Sequence, residues 1–164
     1  MTAQELRSKE GLLIDTNLLV LYVIGLLDTN RIGQNKRTRT YSKEDFNLLV
    51  NFTGFFKKVI TTTNILTEVS NLLEGEEYHK KPVLSVLPQL LEVIEEHHLP
   101  SRSLMVSSNR FFTKFGLSDT VSMELSTRDY TVLTDDLDLC YYLQNNGLSA
   151  YNFNHLRTAY LLRP

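Results

Sequence analysis

The sequence predicts an α/β protein, a three-layer α/β/α sandwich around a central parallel sheet of four or five strands. Short apolar or β-branched runs alternate with longer segments whose apolar residues repeat at helical spacing. The first run, 11–14, stops abruptly at Asp15, as buried parallel strands do. Because 164 residues with 42% hydrophobic content can bury one sizeable core, we expect a single domain over 1–164, with its core over about 11–155.

The first half of the chain supplies two strands and two helices. The ten-residue apolar run behind the first strand is typical of a buried helix, and the polar stretch after it is typical of a loop. Ser42, with Asp45 three residues on, resembles a capping box that opens the next helix. The predicted segments are strand 11–14, helix 18–27, loop 28–40, helix 42–56 and strand 58–62.

The second half supplies two further strands and the remaining helices. The β-branched run over 131–134 predicts a third strand, and the short segment 149–152 can form a fourth. Apolar residues at helical spacing, together with capping and terminating residues, predict the helices. These are a helix from Asn64 to near Gly75, one from Pro82 to about His97 with a kink at Pro88, one over 107–115, one starting at Ser118 or Asp119, one over 137–145, and one from Asn154 to Leu162.

Composition and charge narrow the class of protein. The net charge is −2, so bulk charge does not indicate a nucleic-acid binder. The single cysteine, Cys140, forms no internal disulfide and belongs to no zinc-binding cluster, which favours a reducing compartment, most simply the cytoplasm. The apolar run 18–27 is about half as long as a bilayer span, and the amino terminus lacks a signal-peptide layout, so we expect no membrane association.

Acidic residues recur where the predicted strands end. Asp15 closes the first strand, and Asp135 and Asp136 directly follow the strand at 131–134. Glu68 lies one turn into the helix after the second strand, and Asp119 lies in the first turn of a later helix. In a doubly wound sheet these positions converge at one edge. Two carboxylates about 6 Å apart repel by roughly 3 kcal/mol, so such a cluster calls for raised pKa values or for hard cations such as Mg²⁺ or Mn²⁺.

Four segments that carry these acids resemble, in order and spacing, the acidic motifs of the PIN-domain nucleases. They read Leu-Ile-Asp-Thr-Asn over 13–17, Asn-Ile-Leu-Thr-Glu over 64–68, Gly-Leu-Ser-Asp over 116–119 and Val-Leu-Thr-Asp-Asp over 132–136. The resemblance implies a Mg²⁺- or Mn²⁺-dependent endoribonuclease that hydrolyses single-stranded RNA. It implies that the catalytic, metal-binding acids are Asp15, Glu68, Asp119 and Asp136, with Asn17 and Thr134 as supporting groups. Toxin members of the family imply two further partners, a cognate antitoxin protein and a second copy of the chain.

Asp135 and Asp136 compete for the fourth metal-binding position. With Asp138 three residues on, Asp135 resembles an N-cap of the following helix. That arrangement would leave Asp136 facing the metal, with Asp135 as an additional or substitute ligand.

A cluster of basic residues is the candidate RNA-binding segment. It comprises Arg31, Lys36, Arg37 and Arg39, followed by Lys43. One interpretation is a patch that follows the phosphate backbone, with Tyr41 stacking on a base. The other is an ordinary solvated loop.

Two other functions compete with the ribonuclease. A non-catalytic PIN-like scaffold, binding RNA or protein, is the alternative, although the complete set of acids argues against it. A phosphatase of the haloacid dehalogenase type requires a second Asp two residues after the nucleophile, and Asn17 stands there.

Overall fold

Five strands form a parallel sheet in the part of the chain that the structure, a computed structural model, describes, namely residues 3–74 and 84–161. Every neighbouring pair runs in the same direction. The strands are β1 Gly11–Ile14, β2 Val59–Thr62, β3 Glu95–His97, β4 Tyr130–Thr134 and β5 Ala150–Asn152.

Helices flank this sheet and complete the three-layer α/β/α sandwich, which confirms the predicted fold class. In the described residues they are α1 Ala3–Ser8, α2 Thr16–Leu27, α3 Lys43–Thr53, α4 Thr63–Glu74, α5 Val86–Leu90, α6 Ser101–Ser107, α7 Asn109–Phe115, α8 Leu117–Ser126, α9 Leu137–Asn145 and α10 Phe153–Leu161. The segment between α2 and α3 contains a single 3₁₀ turn, Thr29–Arg31, and is otherwise irregular, as predicted.

The strand order is β3-β2-β1-β4-β5. The chain therefore moves outward from β1 in one direction to β3, then returns to the other side of β1 for β4 and β5. In open parallel sheets, ligands bind where this reversal occurs, beyond the carboxyl ends of the two central strands. Here those strands are β1 and β4.

The first βα unit lies in the centre of the core. Leu12, Leu13 and Ile14 of β1 are fully buried. α2 is apolar around most of its circumference, as helices buried on several sides are. Gly25 lets α3 approach it closely, because a Cβ atom there would lie 2.2 Å from the Phe46 ring. This buried unit carries Asp15 at the junction of its strand and helix.

The edge strand β3 was not predicted. The sequence pattern predicted a helix from Pro82 to His97, but α5 covers only Val86–Leu90 and Glu95–His97 pairs with β2. Its side chains are polar and largely solvent-exposed, so it lacks the apolar signature on which strand prediction depends. Gly75, Pro82 and Leu162, where helix boundaries were predicted, lie outside the described residues.

Two helix caps lie two residues earlier than predicted. α4 begins at Thr63 rather than after Asn64, and the Thr62 hydroxyl accepts the Ile65 N–H at 3.3 Å. Similarly, Asn152 rather than Asn154 accepts the free N–H groups at the start of α10. In both cases a polar side chain at the end of the preceding strand satisfies the helix terminus. Strand and helix therefore join without a loop.

None of the helices in the described residues is both long and apolar enough to cross a membrane.

Candidate active site

The carboxyl ends of β1 and β4 open into an acidic cleft of about 260 Å³. The four acids expected to act together line it, from four different elements: Asp15, Glu68, Asp119 and Asp136. The remaining lining residues are uncharged, and Asn17 and Ser118 are among them. The structure thus brings the four acids into one cavity whose lining contains no basic side chain.

Asp15 lies at the bottom of the cleft and is 6% exposed. Its Oδ1 accepts the Thr16 N–H at 2.7 Å, and its Oδ2 accepts the Thr134 hydroxyl at 2.6 Å. Burial raises the pKa of Asp15 to about 6, although these two hydrogen bonds favour the carboxylate and partly oppose the shift. Thr134, expected as a supporting group, therefore orients Asp15 directly.

Glu68 reaches the cleft from α4 and is held by two hydroxyl groups. Its Oε2 accepts a 2.6 Å hydrogen bond from Ser118 and a 3.1 Å hydrogen bond from Thr16. Neither hydroxyl was predicted to have this role. Ser118 lies directly before Asp119 in the Gly-Leu-Ser-Asp segment, which was the available signal.

Asp119, in the first turn of α8, has the most perturbed carboxyl group. Burial, followed by the negative charges of Asp15, Asp136 and Glu68, raises its pKa to about 7. No donor in the described part of the chain forms a hydrogen bond with its side chain. At neutral pH the carboxyl group is therefore partly protonated.

Asp136, not Asp135, is the N-cap of α9, so the expected assignment of the cap was wrong. The Oδ1 atom of Asp136 accepts the Leu139 N–H at 3.0 Å while the residue still lines the cleft. Asp135 instead accepts the Tyr41 hydroxyl at 2.6 Å and the Asn17 amide at 3.2 Å. The reason is that the residue nearer the helix has the extended backbone that a cap requires.

The basic segment lies outside the lining of the acidic cleft. Lys36, Arg37 and Arg39 are exposed, whereas Arg31 lies 3.9 Å from Asp28. Tyr41 is buried, so its ring is not the exposed base-stacking group that the sequence suggested. Burial and the hydrogen bond to Asp135 raise the pKa of the Tyr41 phenol far above its ordinary value, which keeps it a hydrogen-bond donor.

The cleft offers the type of ligand atom that a hard divalent cation prefers, but its carboxylates are not arranged as a three-residue metal site. Carboxylate and hydroxyl oxygens are the ligands that Mg²⁺ and Mn²⁺ prefer. Among the described residues, however, no group of three His, Cys, Asp or Glu side chains is positioned to hold a metal ion. Because Mg²⁺ commonly retains several waters and binds through one or two carboxylates, the donor set remains compatible with a partly hydrated ion.

In comparisons with known proteins, no family model matches this chain and no curated protein sequence matches it significantly.

Proposed function

We propose that this protein is a divalent-metal-dependent ribonuclease of the PIN-domain type, acting on single-stranded RNA in the acidic cleft. The observation that supports this function is the convergence of Asp15, Glu68, Asp119 and Asp136 on one cavity. Each acid comes from a different element of the fold. Local roles, such as capping a helix or making the surface polar, therefore do not explain why all four line one cavity. The four segments that carry these acids also follow one another along the chain in the same order as the acidic motifs of the PIN-domain nucleases.

Electrostatics explain why such a cavity calls for a cation. Four ionised carboxylates with no basic neighbour in the lining would repel each other strongly in a partly buried site. The raised pKa values of Asp15 and Asp119 reflect burial and this repulsion. A bound Mg²⁺ or Mn²⁺ would offset the repulsion, activate a water molecule and stabilise the charge that develops on phosphate oxygens.

Asp119 and Asp136 are the most available ligands for such an ion. Asp119 accepts no hydrogen bond within the described residues, and the Asp136 hydrogen bond engages Oδ1. Both carboxylate oxygens of Asp15 accept hydrogen bonds, and one oxygen of Glu68 does. These hydrogen bonds orient the two side chains in the cavity. The chain thus supplies two available carboxylates and two oriented ones.

Cleavage of labelled single-stranded RNA in the presence of Mn²⁺ tests this function. Asp15→Asn and Asp119→Asn should each lower the rate by more than about 100-fold, because even residues that only orient metal ligands change activity by roughly 10–100-fold. Asp138→Asn is the matched control, since this exposed carboxylate lies on α9 outside the cleft. Equal cleavage by the wild type and both cleft variants would contradict the proposal.

A non-catalytic scaffold of the same fold is the second candidate. The absence of any three-ligand metal arrangement among the described residues favours it. Thermal unfolding with increasing Mn²⁺ distinguishes the two functions. A metal-dependent nuclease should show a rising Tm that Asp119→Asn diminishes, whereas a scaffold should show the same Tm at every Mn²⁺ concentration.

A further inference from the structure

Three aromatic rings pack together at the rim of the acidic cleft, on α7 and α9. Phe111 and Phe115 are stacked, with centroids 4.5 Å apart and an interplanar angle of 27°. Tyr142 contacts both, at 4.8 and 5.4 Å. We call Phe111, Phe115 and Tyr142, together with Lys114, the aromatic rim. Phe115 is the member that lines the cleft itself.

The rim is only partly integrated into the core. Phe111 is 5% exposed and supports the cluster from beneath, whereas Phe115 and Tyr142 are half-buried. Gly116 follows Phe115 with φ 86°, and no heavy atom lies within 4 Å of where its Cβ would be. Gly116 and Phe115 both line the cleft, so the half-buried Phe115 ring lies next to open space on the cleft side.

Lys114 lies against two of these rings. The Lys114 ammonium lies 4.5 Å from the centroid of Phe115 and 6.0 Å from that of Tyr142. Lys114 is exposed, and no carboxylate in the described residues pairs with it. An exposed lysine is flexible, so a planar ligand can replace its ammonium on the ring and leave the charge available for an anion beside that ligand.

A planar aromatic group next to a phosphate is the chemistry that this rim recognises. Proteins bind single-stranded nucleic acid by combining aromatic faces, on which bases stack, with cations that contact the backbone. The four carboxylates of the cleft repel a polyanion, so a cation at the rim is where the strand gains attraction. An aromatic rim bearing a lysine, directly beside an acidic cleft, combines both requirements.

We propose that the aromatic rim is a nucleobase subsite: one base of a single-stranded substrate stacks on Phe115 while Lys114 contacts the adjoining phosphate. The subsite rests on the proposed function, because it holds the strand whose phosphodiester enters the cleft. Stacking is tolerant of base identity, so the subsite favours unpaired strands over duplexes without reading sequence.

The chain has no tryptophan, which allows a direct optical test. Phe115→Trp places a sole indole in the rim, and Phe55→Trp provides the control at an exposed phenylalanine that precedes β2 and does not line the cleft. Both are made in the Asp119→Asn background with Mg²⁺ present, so that the strand is retained rather than cleaved. The probes are a short oligoadenylate, as RNA and as DNA, and an abasic ribose-phosphate chain of equal length.

The proposal expects oligoadenylate to quench the emission of the Phe115→Trp variant, with the abasic chain and the Phe55→Trp control giving no quenching. In anisotropy titrations, Phe115→Leu should weaken oligoadenylate binding by about fivefold or more, the lower end of what one stacked base contributes. Equal quenching by oligoadenylate and by the abasic chain would overturn the subsite. Unchanged oligoadenylate binding by the folded Phe115→Leu variant would also overturn it. Equal quenching by the RNA and the DNA oligoadenylate would show that the subsite accepts single strands of either kind.

The same measurements separate this proposal from the ribonuclease itself. Base-dependent quenching without any cleavage by the wild-type protein would support the subsite and overturn the catalytic function. Metal-dependent cleavage that is equally fast in Phe115→Leu, with no quenching in Phe115→Trp, would do the reverse.

Discussion

The Tyr41 hydroxyl donates a 2.6 Å hydrogen bond to Oδ2 of Asp135, at the point where β4 ends. The same carboxylate accepts the Asn17 amide at 3.2 Å, and Asn17 lines the acidic cleft. On its other side, the Tyr41 ring lies 5.1 Å from the Arg157 guanidinium of α10. Tyr41 therefore connects the segment between α2 and α3 to one wall of the candidate active site.

Tyr41→Phe should destabilise the protein, because Asp135 loses its shortest hydrogen bond in a half-buried position. Hydrogen bonds to charged groups contribute about 1.5–3 kcal/mol. We expect a loss near the lower value, since the Asn17 amide remains bound to the carboxylate. Urea unfolding measures it, and Tyr160→Phe, at an exposed tyrosine, is the control that should leave stability unchanged.

Asp119→Asn should stabilise the metal-free protein while removing its activity. The wild-type carboxylate is largely buried, lies near other negative charges and accepts no hydrogen bond within the described residues, so neutralising it removes both a desolvation cost and repulsion. We expect a gain of about 1–2 kcal/mol, or roughly 2–8 °C in Tm for a chain of this size. Differential scanning calorimetry in EDTA measures this. A lower Tm than that of Asp138→Asn would show that repulsion in the cleft is weak.

The stability of the metal-free protein should fall as the pH rises from about 4 to about 7. Native Asp15 and Asp119 have pKa values of about 6 and 7, against an ordinary value of 3.8. The folded state therefore binds protons more tightly than the unfolded chain, and this stabilisation is lost as the pH rises through those two values. Urea unfolding in EDTA should show a loss of several kcal/mol across this pH range, which Asp119→Asn reduces. A flat profile in both proteins would contradict the shifts.

Thr134→Val should change both stability and the pH dependence of cleavage. The Thr134 hydroxyl donates to Asp15 and accepts the Asp136 N–H at 3.0 Å, so valine leaves both groups without this partner. We expect a loss of about 1–3 kcal/mol and a higher pKa for Asp15, because a hydrogen bond to its charged form is removed. The acidic limb of the pH–rate profile should therefore move to higher pH.

Thr131→Val is the control for Thr134→Val. This threonine lies on the same strand and is equally buried. Its hydroxyl is hydrogen-bonded to the Ser149 hydroxyl, with 2.9 Å between the two oxygens, and neither residue lines the cleft. It should lose stability without any shift in the pH–rate profile. Equal shifts in both variants would show that Thr134 has no specific effect on Asp15.

Arg157 and Asp45 should be strongly coupled. Nε and Nη2 of the guanidinium donate to the two carboxylate oxygens at 2.7 and 2.9 Å, and the Asp45 side chain is 10% exposed. Removing one partner of a buried pair costs about 3–5 kcal/mol, because an unpaired charge remains. We expect Arg157→Gln and Asp45→Asn each to lose about 2–3 kcal/mol, below that range because Arg157 is partly exposed. In a double-mutant cycle measured by urea unfolding, additive losses would contradict the coupling.

Local patterns predicted the elements whose signals are contained in a short stretch of sequence. α9 was predicted with the bounds that the structure gives it, and the capping box of Ser42 and Asp45 opens α3 as expected. β1 was equally clear because it is apolar throughout and ends at an acid. β3 was missed because a polar edge strand is defined by its pairing with β2, which no local pattern records.

The sequence by itself determined that four acids follow strands or open helices, and that alternating strands and helices would gather them at one edge of a parallel sheet. Tertiary structure alone decided which way neighbouring side chains point: Asp136 into the cleft and Asp135 toward Tyr41. It also decided that Tyr41 is buried and that Phe115 lines the cleft. The physical reason is that helix capping and hydrogen bonding to partners distant in the chain depend on backbone placement, which residue spacing does not encode.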